Sequence, residues 1–283
     1  MPHLPAVSRP RPRWWVQVLL LVGFQQAYDA TRSLHGNVVA VAVRHGREIL
    51  ALDSELHVAV GTPLNAWLSH HDPIADLLTG YYVVMHFGMT SLTLVLLWLQ
   101  GRHYRRQRNA LLLASLVGLA VYWEFPCAPP RLLGGPFHDT VARVLPLAYR
   151  VEAHSANLYA AVPSLHMAWA VWVGVALWTM SARWWVRAVA VAHPMVTALT
   201  VLATGNHYTL DVVSGAVLTA VSYPLLAVLE WAWARVRDAV RSVARTRRVR
   251  PQYRPVELCG VTRRGDRGAA AAAPPARRGR ARP

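Results

Sequence analysis

Residues 77–99 read LLTGYYVVMHFGMTSLTLVLLWL and contain no Asp, Glu, Lys or Arg. About 20 consecutive apolar residues are enough for a helix to cross the hydrocarbon core of a bilayer, so this stretch predicts a transmembrane helix. Residues 211–233 meet the same criterion. Three further apolar stretches, at the short end of the range, are residues 109–125, 163–180 and 186–203. The predicted fold class is therefore all-α, a polytopic membrane helix bundle.

The chain opens with one more apolar stretch, residues 14–24, behind an Arg-rich start. A short apolar run in this position is also typical of a signal-peptide core. However, no clear small-x-small cleavage site follows it, and the pair Trp14-Trp15 suits the interface between lipid and water. We favour a retained first span, which brings the prediction to about six transmembrane helices.

The charge of the chain is large and unevenly placed. All 30 basic residues are arginine, and the formal net charge is +16, although only 16% of the residues are charged and 54% are hydrophobic. The surplus lies in residues 1–13 and 235–283, and the stretch between them is nearly neutral. This pattern predicts a basic cytoplasmic N-terminus (1–13), a six-helix membrane domain (14–234) and an Arg-rich, low-complexity, disordered cytoplasmic tail (235–283).

An Arg-rich tail raises the question of a nucleic-acid partner. The tail has no nucleic-acid-binding motif and no interleaved aromatic residues, so we expect none. Anionic lipids of the cytoplasmic leaflet are the expected partner of its arginines.

The predicted loops divide into an Arg-rich and an Arg-poor set. With six spans, the arginines of residues 102–108 and 183–187 share one face with both termini, and the positive-inside rule makes that face cytoplasmic. The opposite face holds residues 35–76, 126–162 and 204–210. We therefore expect a multi-pass plasma-membrane protein whose active site is extracytoplasmic. Cys127 and Cys259 then lie on opposite sides and cannot pair.

The first outer segment has apolar residues at helical spacing, with acidic residues between them. The apolar set is Ile49, Leu52, Leu56, Ala59 and Val60, and the acidic set is Glu48, Asp53 and Glu55. An amphipathic helix on the outer leaflet fits this pattern, and a short helix packed on the bundle fits it equally well.

Three polar clusters lie at predicted outer ends of spans. Residues 125–131 read FPCAPPR, residues 162–166 read VPSLH, and residues 205–211 read GNHYTLD. Each has an ordinary structural explanation. Proline and serine begin or stop helices, and a His and an Asp four residues apart share a helix face by chance.

Together the clusters contain the parts of one phosphoryl-transfer reaction. A helix N-terminus attracts phosphate, Ser164 adds a hydroxyl, and Arg131 can clasp phosphate oxygens. A neutral His207 could attack phosphorus while Asp211 fixes its tautomer, and His166 could protonate the leaving alkoxide. Two alternatives stay open. The two histidines and Asp211 could instead bind a metal, or the polar groups could line the cavity of a lipid-binding or transporter-like bundle.

These motifs resemble those of a known family. Pro-Ser-Leu-His at residues 163–166 and His207-x-x-x-Asp211 resemble the second and third motifs of the type 2 phosphatidic acid phosphatase superfamily. Phe-Pro-x-Ala-Pro-Pro-Arg, the Leu165 of the second motif and Gly-Asn-His-Tyr-x-x-Asp are similar to its inositol phosphorylceramide synthase-like (inositolphosphotransferase) branch.

The resemblance implies a six-helix membrane bundle that works through a phosphohistidine intermediate, with no metal or other cofactor. It implies His207 as the nucleophile, Asp211 as its partner and His166 as the acid. It also implies that Ser164 and Arg131 bind the phosphate of a membrane lipid substrate.

The sequence departs from the superfamily pattern at three points. It lacks the lysine of the first motif, it has Val201 where the third motif usually has arginine, and it has Leu165 in place of glycine. A clamp with fewer cations suits a phosphodiester, so we favour transfer of an inositol-phosphate-like head group. The alternative is hydrolysis of a lipid phosphate or a polyprenyl (pyro)phosphate.

Four further residues are weaker candidates. Tyr122 and Asn206 could reach the substrate phosphate, and the ionisable groups of His86 and Glu124 lie within or near predicted spans, where such groups often have a function. The sequence makes no prediction about oligomeric state.

Overall fold

A computed structural model of the chain describes residues 12–33, 38–146 and 158–248. The helices are α1 (Trp14–Ser33), α2 (Val39–Glu55), α3 (Gly61–Leu68), α4 (Asp72–Gln100), α5 (Tyr104–Glu124), α6 (Thr140–Val144), α7 (Leu165–Met180), α8 (Trp184–Ala203) and α9 (Thr209–Arg248), with a short 3-10 turn at Pro130–Leu132. The described residues contain no β-strand beyond one isolated bridge between Cys127 and Ala160. The all-α fold class is thus confirmed.

Three of the described helices are long and apolar enough to cross a membrane, namely α4, α8 and the α9 segment Thr209–Ser242. Helix α7 is apolar but shorter. Helix α5 begins with arginines at 105, 106 and 108, which lower the mean hydropathy of its first two turns. The count of six spans therefore stays a prediction.

Helix α7 lies at the centre of the bundle and contacts α4, α5 and α8. Its Trp172, Val173 and Ala176 are fully buried. The α7–α8 contact depends on Gly174, because a Cβ there would meet the carbonyl oxygen of Ala190 at 2.5 Å. Pro194, four residues after Ala190, has no N–H to bond that carbonyl. Gly174 therefore approaches α8 where the helix lacks one of its own hydrogen bonds.

Helix α2 covers residues 48–55 of the segment predicted to be amphipathic, and residues 56–60 form the connection to α3. The prediction that Asp53 belongs to a polar face is wrong: Asp53 is 2% exposed, whereas Leu52 and Leu56 are 42% and 54% exposed. The reason is a set of hydrogen bonds from another helix, described below. Helix α2 packs on the bundle through Ala42 and Gly46 as well as Asp53.

The contacts of the chain divide it into the units Met1–Ala234 and Arg235–Pro283. Helix α9 continues to Arg248, so residues 235–248 are helical and not disordered as predicted. These residues include no Gly or Pro, and alanine and arginine favour the helix. The rest of the predicted tail, residues 249–283, and residues 1–11 of the predicted N-terminus lie outside the described residues.

Candidate active site

The three polar clusters of the sequence meet at one end of the bundle. The backbone N–H of Arg131 donates to the carbonyl of Gly205 at 2.9 Å, which joins the first cluster to the third. The N–H of Ser164 donates to the carbonyl of Asp211 at 3.1 Å, which joins the second to the third. The structure therefore brings together residues 74 and 47 positions apart in the sequence.

The histidines form a connected line with the aspartate. His207 Nδ1 lies 3.2 Å from Asp211 Oδ2, and His207 Nε2 lies 3.1 Å from His166 Nδ1. His207 and Asp211 are 4% and 1% exposed. The backbone N–H of Tyr208 donates to the same Asp211 Oδ2 at 3.0 Å, which fixes the carboxylate.

These contacts are compatible with one arrangement of protons. An ionised carboxylate oxygen only accepts, so with Asp211 ionised His207 Nδ1–H is the donor to it. His207 Nε2 then carries a lone pair and can accept from an Nδ1–H of His166. This arrangement would leave a nucleophilic nitrogen on His207 and, with His166 as the imidazolium, a transferable proton on His166.

Ser164 is the N-cap of α7, and its Oγ accepts from the N–H of Met167 at 3.2 Å. Its side chain is fully buried. The approach of α9 to this cap requires glycine at position 215, where a Cβ would lie 2.2 Å from the carbonyl oxygen of Ser164. The first turn of α7, with His166, is thereby held against α9.

Arg131, the predicted phosphate clamp, is 7% exposed. Its Nη1 lies 3.4 Å from Oδ2 of Asp139, which forms an ion pair with it. Val201, which stands where the superfamily usually has arginine, is 1% exposed and packs in an apolar cluster with Leu202 and Val212.

Tyr122 and Asn206 also reach this end of the bundle. The Tyr122 hydroxyl donates to the carbonyl of Pro163 at 2.7 Å, so it supports the loop before Ser164. Asn206 donates from Nδ2 to Thr204 Oγ1 at 2.7 Å, and its buried Oδ1 has no hydrogen-bond partner within the described residues. Glu124 is exposed at the end of α5.

His86 joins the site by ring contacts. Its ring centroid lies 4.2 Å from that of His166 and 4.5 Å from that of Trp169, with the Trp169 ring nearly parallel. Tyr82 stacks on His166 at 4.8 Å. The imidazole of His166 is therefore held between aromatic rings from α4.

The sequence did not indicate that Asp53 supports the candidate site. Its carboxylate accepts from the N–H groups of Thr209 at 2.7 Å and Leu210 at 3.0 Å. These N–H groups belong to the first turn of α9 and have no partner within that helix. Asp53 of α2 therefore caps α9, the helix that carries Asp211. Burial raises the pKa of Asp53, and these hydrogen bonds partly offset the rise. No signal in the sequence links positions 156 residues apart.

Asn65 of α3 is a second support that the sequence did not indicate. It is fully buried, donates to the carbonyls of Ala203 at 2.9 Å and His138 at 3.1 Å, and accepts from the N–H of His138 at 2.8 Å. It therefore ties the end of α8 to the residue before Asp139.

The described part of the chain has no group of three or more His, Cys, Asp or Glu side chains placed to hold a metal ion. The first cluster contains Cys127, which is buried, and burial raises the pKa of its thiol to about 12.

Comparison with known proteins agrees with the motifs. The profile of the PAP2 superfamily (type 2 phosphatidic acid phosphatase) matches residues 47–225. The chain is 27% identical over 173 residues to a phosphoinositol dihydroceramide synthase of Bacteroides thetaiotaomicron, in an alignment that covers 54% of this chain and 56% of the relative. The chain thus spans little more than half the length of that relative.

No solved structure matches the chain. The profile covers α3 to α8, most of α2 and the first part of α9, including every motif of the candidate site. The similarity to the synthase supports the inositol phosphorylceramide synthase-like assignment made from the motifs. On this evidence, the chain belongs to the PAP2 superfamily.

Proposed function

We propose that the chain is an integral-membrane phosphotransferase that cleaves a lipid phosphodiester at the extracytoplasmic leaflet, through a phosphohistidine on His207. PAP2 membership supports a membrane enzyme that acts on lipid phosphoesters. The observation that carries the proposal is the line from Asp211 through His207 to His166, with contacts of 3.2 and 3.1 Å.

The first half of the reaction follows from the proton positions. The lone pair of His207 Nε2 attacks phosphorus, and the bond from phosphorus to the leaving oxygen breaks. The electron pair stays on that oxygen, which takes the Nδ1 proton of a His166 imidazolium and leaves that histidine neutral. Asp211 stabilises the positive charge that develops on His207, and Arg131 stabilises the charge on the phosphoryl oxygens.

The second half reverses these movements. The acceptor hydroxyl gives its proton to His166 Nδ1 and forms a bond to phosphorus. The bond from phosphorus to His207 Nε2 breaks, and its electron pair returns to the nitrogen. Both histidines then have their starting protonation, so the cycle needs no net proton from outside.

Substrate binding must open the resting contact between the two histidines. At 3.1 Å between His166 Nδ1 and His207 Nε2, no phosphorus atom fits on the line that joins them. We infer that the phosphoryl group displaces His166 from the nucleophile and receives the freed N–H.

Head-group transfer is favoured over hydrolysis by the small number of cations. Val201 is in the apolar core, where the usual pattern has arginine. By contrast, Leu165 packs on Gly118 of α5, so it affects helix packing and does not itself argue for transfer. The name of the Bacteroides relative gives phosphoinositol and dihydroceramide as the reactants to test first.

The proposal is tested with purified protein and phosphatidylinositol that carries radioactive phosphorus. The expected result is label on the protein that is lost in acid and kept in base, as phosphohistidine is, with more label when His166 is replaced by Ala and none with His207→Ala. The exposed His70 provides the control His70→Ala, which should label like the wild type. No label in any variant would contradict the covalent mechanism.

Two further arms of this experiment separate the alternatives. Activity that is lost on exhaustive chelation and restored by a divalent metal would favour the metal-binding interpretation. Release of free head-group phosphate in the presence of dihydroceramide would favour hydrolysis over transfer. Unchanged biological function with His207→Ala would favour a lipid-binding or transporter-like bundle.

A further inference from the structure

Asp139 is placed to control the charge of the phosphate clamp. Its Oδ2 lies 3.4 Å from Nη1 of Arg131, and the Arg131 side chain is 3% exposed while that of Asp139 is 21% exposed. The two opposite charges thus face each other at the edge of the site, where solvent screening is weak on the arginine side.

The position of Asp139 is fixed by two other contacts. Its Oδ1 accepts from the N–H of Ala142 at 2.9 Å and caps the short helix α6. The preceding residue, His138, is bonded through its N–H and carbonyl to Asn65. The carboxylate is therefore held beside Arg131 by both the cap and the backbone.

The ion pair changes which anion the site prefers. A phosphomonoester carries nearly two negative charges at neutral pH and a phosphodiester carries one. A carboxylate beside Arg131 repels both, and it repels the doubly charged group about twice as strongly because the Coulomb energy scales with charge. Val201 supplies no second cation.

We propose that Asp139 is a specificity-determining residue that makes the site select singly charged phosphodiester donors against doubly charged phosphomonoesters. It acts through Arg131 and does not itself touch the substrate. The proposal rests on the proposed function, because it concerns the donor used in that reaction.

The test is Asp139→Asn, measured with phosphatidylinositol and phosphatidic acid as the two donors. Asparagine is as good an N-cap as aspartate, so the change removes the charge and keeps the bond from Ala142. The expected result is a rise of about tenfold in the ratio of kcat/KM for phosphatidic acid to that for phosphatidylinositol, from one unit of charge near the clamp.

A matched control exists in the ion pair between Asp72 and Arg143, whose side chains are 76% and 43% exposed. Asp72→Asn removes the same charge from a solvent-exposed pair that does not include Arg131, and the donor ratio should not change. Asp139→Glu keeps the charge and should keep the wild-type ratio.

The outcomes distinguish this proposal from the proposed function. If the wild type is active and Asp139→Asn leaves the donor ratio unchanged, the role of Asp139 is refuted and the function stands. If the wild type acts on neither donor, both are refuted. If Asp139→Asn turns over neither donor, direct binding of inorganic phosphate at pH 8 decides: tighter binding than to the wild type supports the proposal, and unchanged binding overturns it.

Discussion

Removing the carboxylate of Asp53 should weaken both the fold and the catalysis, although Asp53 touches no substrate. The side chain makes charge-assisted hydrogen bonds to the N–H groups of Thr209 and Leu210 at 2.7 and 3.0 Å. Replacing an N-cap residue costs about 0.5–2 kcal/mol, and a hydrogen bond to a charged group contributes about 1.5–3 kcal/mol. For Asp53→Ala, which leaves two partly buried N–H groups without their acceptor, we expect a loss of about 2–4 kcal/mol in unfolding free energy.

The effect on activity follows from the place of the cap. Leu210 immediately precedes Asp211, so a shifted first turn of α9 displaces the carboxylate that orients His207. A misplacement of about 1 Å can lower a rate by about 100-fold. We therefore expect kcat to fall by about that factor, with a smaller change in KM, because Asp53 contributes to positioning and not to substrate binding.

The assay compares Asp53→Ala with Glu55→Ala, a change of an exposed acid on the same helix. Denaturant unfolding in detergent gives the stability difference, and the labelled-lipid assay gives kcat. The stability and kcat of Asp53→Asn should lie between those of the wild type and of Asp53→Ala. The single amide oxygen of asparagine can accept only part of the hydrogen bonds that the two carboxylate oxygens of Asp53 accept. An Asp53→Ala protein as stable and as active as Glu55→Ala would refute the reasoning.

Two other changes test the packing of the site. Gly215→Ala should sharply lower stability and activity, because its Cβ would lie 2.2 Å from the Ser164 carbonyl oxygen, whereas Gly80→Ala, with nothing within 4 Å, should be tolerated in both measurements. In a Cys259→Ser protein, Cys127 should resist maleimide at pH 8 and react in denaturant, because burial raises its pKa from 9.0 to about 12. The same pKa shift means that stability is lost as pH rises from about 9 towards about 12. Rapid labelling of the native protein by maleimide at pH 8 would contradict the burial of Cys127.

Helices α2 and α3 have a clearer role than that of an amphipathic helix on a leaflet. Asp53 holds the start of α9, and Asn65 holds the end of α8 and the residue before Asp139. The candidate site is thus supported by side chains that lie outside the three motifs. Substitutions of Asp53 or Asn65 are therefore expected to disturb the geometry of the candidate site.

The helices and the contact between His207 and Asp211 could be predicted because their signals are local. An apolar run such as residues 77–99 needs only its own composition to form a membrane helix, and the structure makes it part of α4. His207 and Asp211 are four residues apart, and they form the contact that this spacing allows. The proline and serine that begin α7 are equally local.

The remaining features depend on contacts between distant parts of the chain. Asp53 has the composition and spacing of a solvated acid, and only the N–H groups of α9 explain its burial. The hydrogen bond from the Tyr122 hydroxyl to the carbonyl of Pro163 likewise joins residues 41 positions apart. The length of α9 beyond residue 234 was also underestimated, because its low-complexity, Arg-rich composition suggested disorder where the chain forms helix.

The sequence by itself determined an all-helical membrane protein of the PAP2 superfamily and the identity of its histidines, its aspartate and its arginine. These follow from local hydrophobicity and from motifs a few residues long. Only the tertiary structure showed the two carboxylates that lie outside the motifs: Asp139 pairs with Arg131, and Asp53 accepts from the first N–H groups of α9. The physical reason is that electrostatic and hydrogen-bond energies depend on distances of about 3 Å, and the folded backbone sets those distances between residues far apart in sequence.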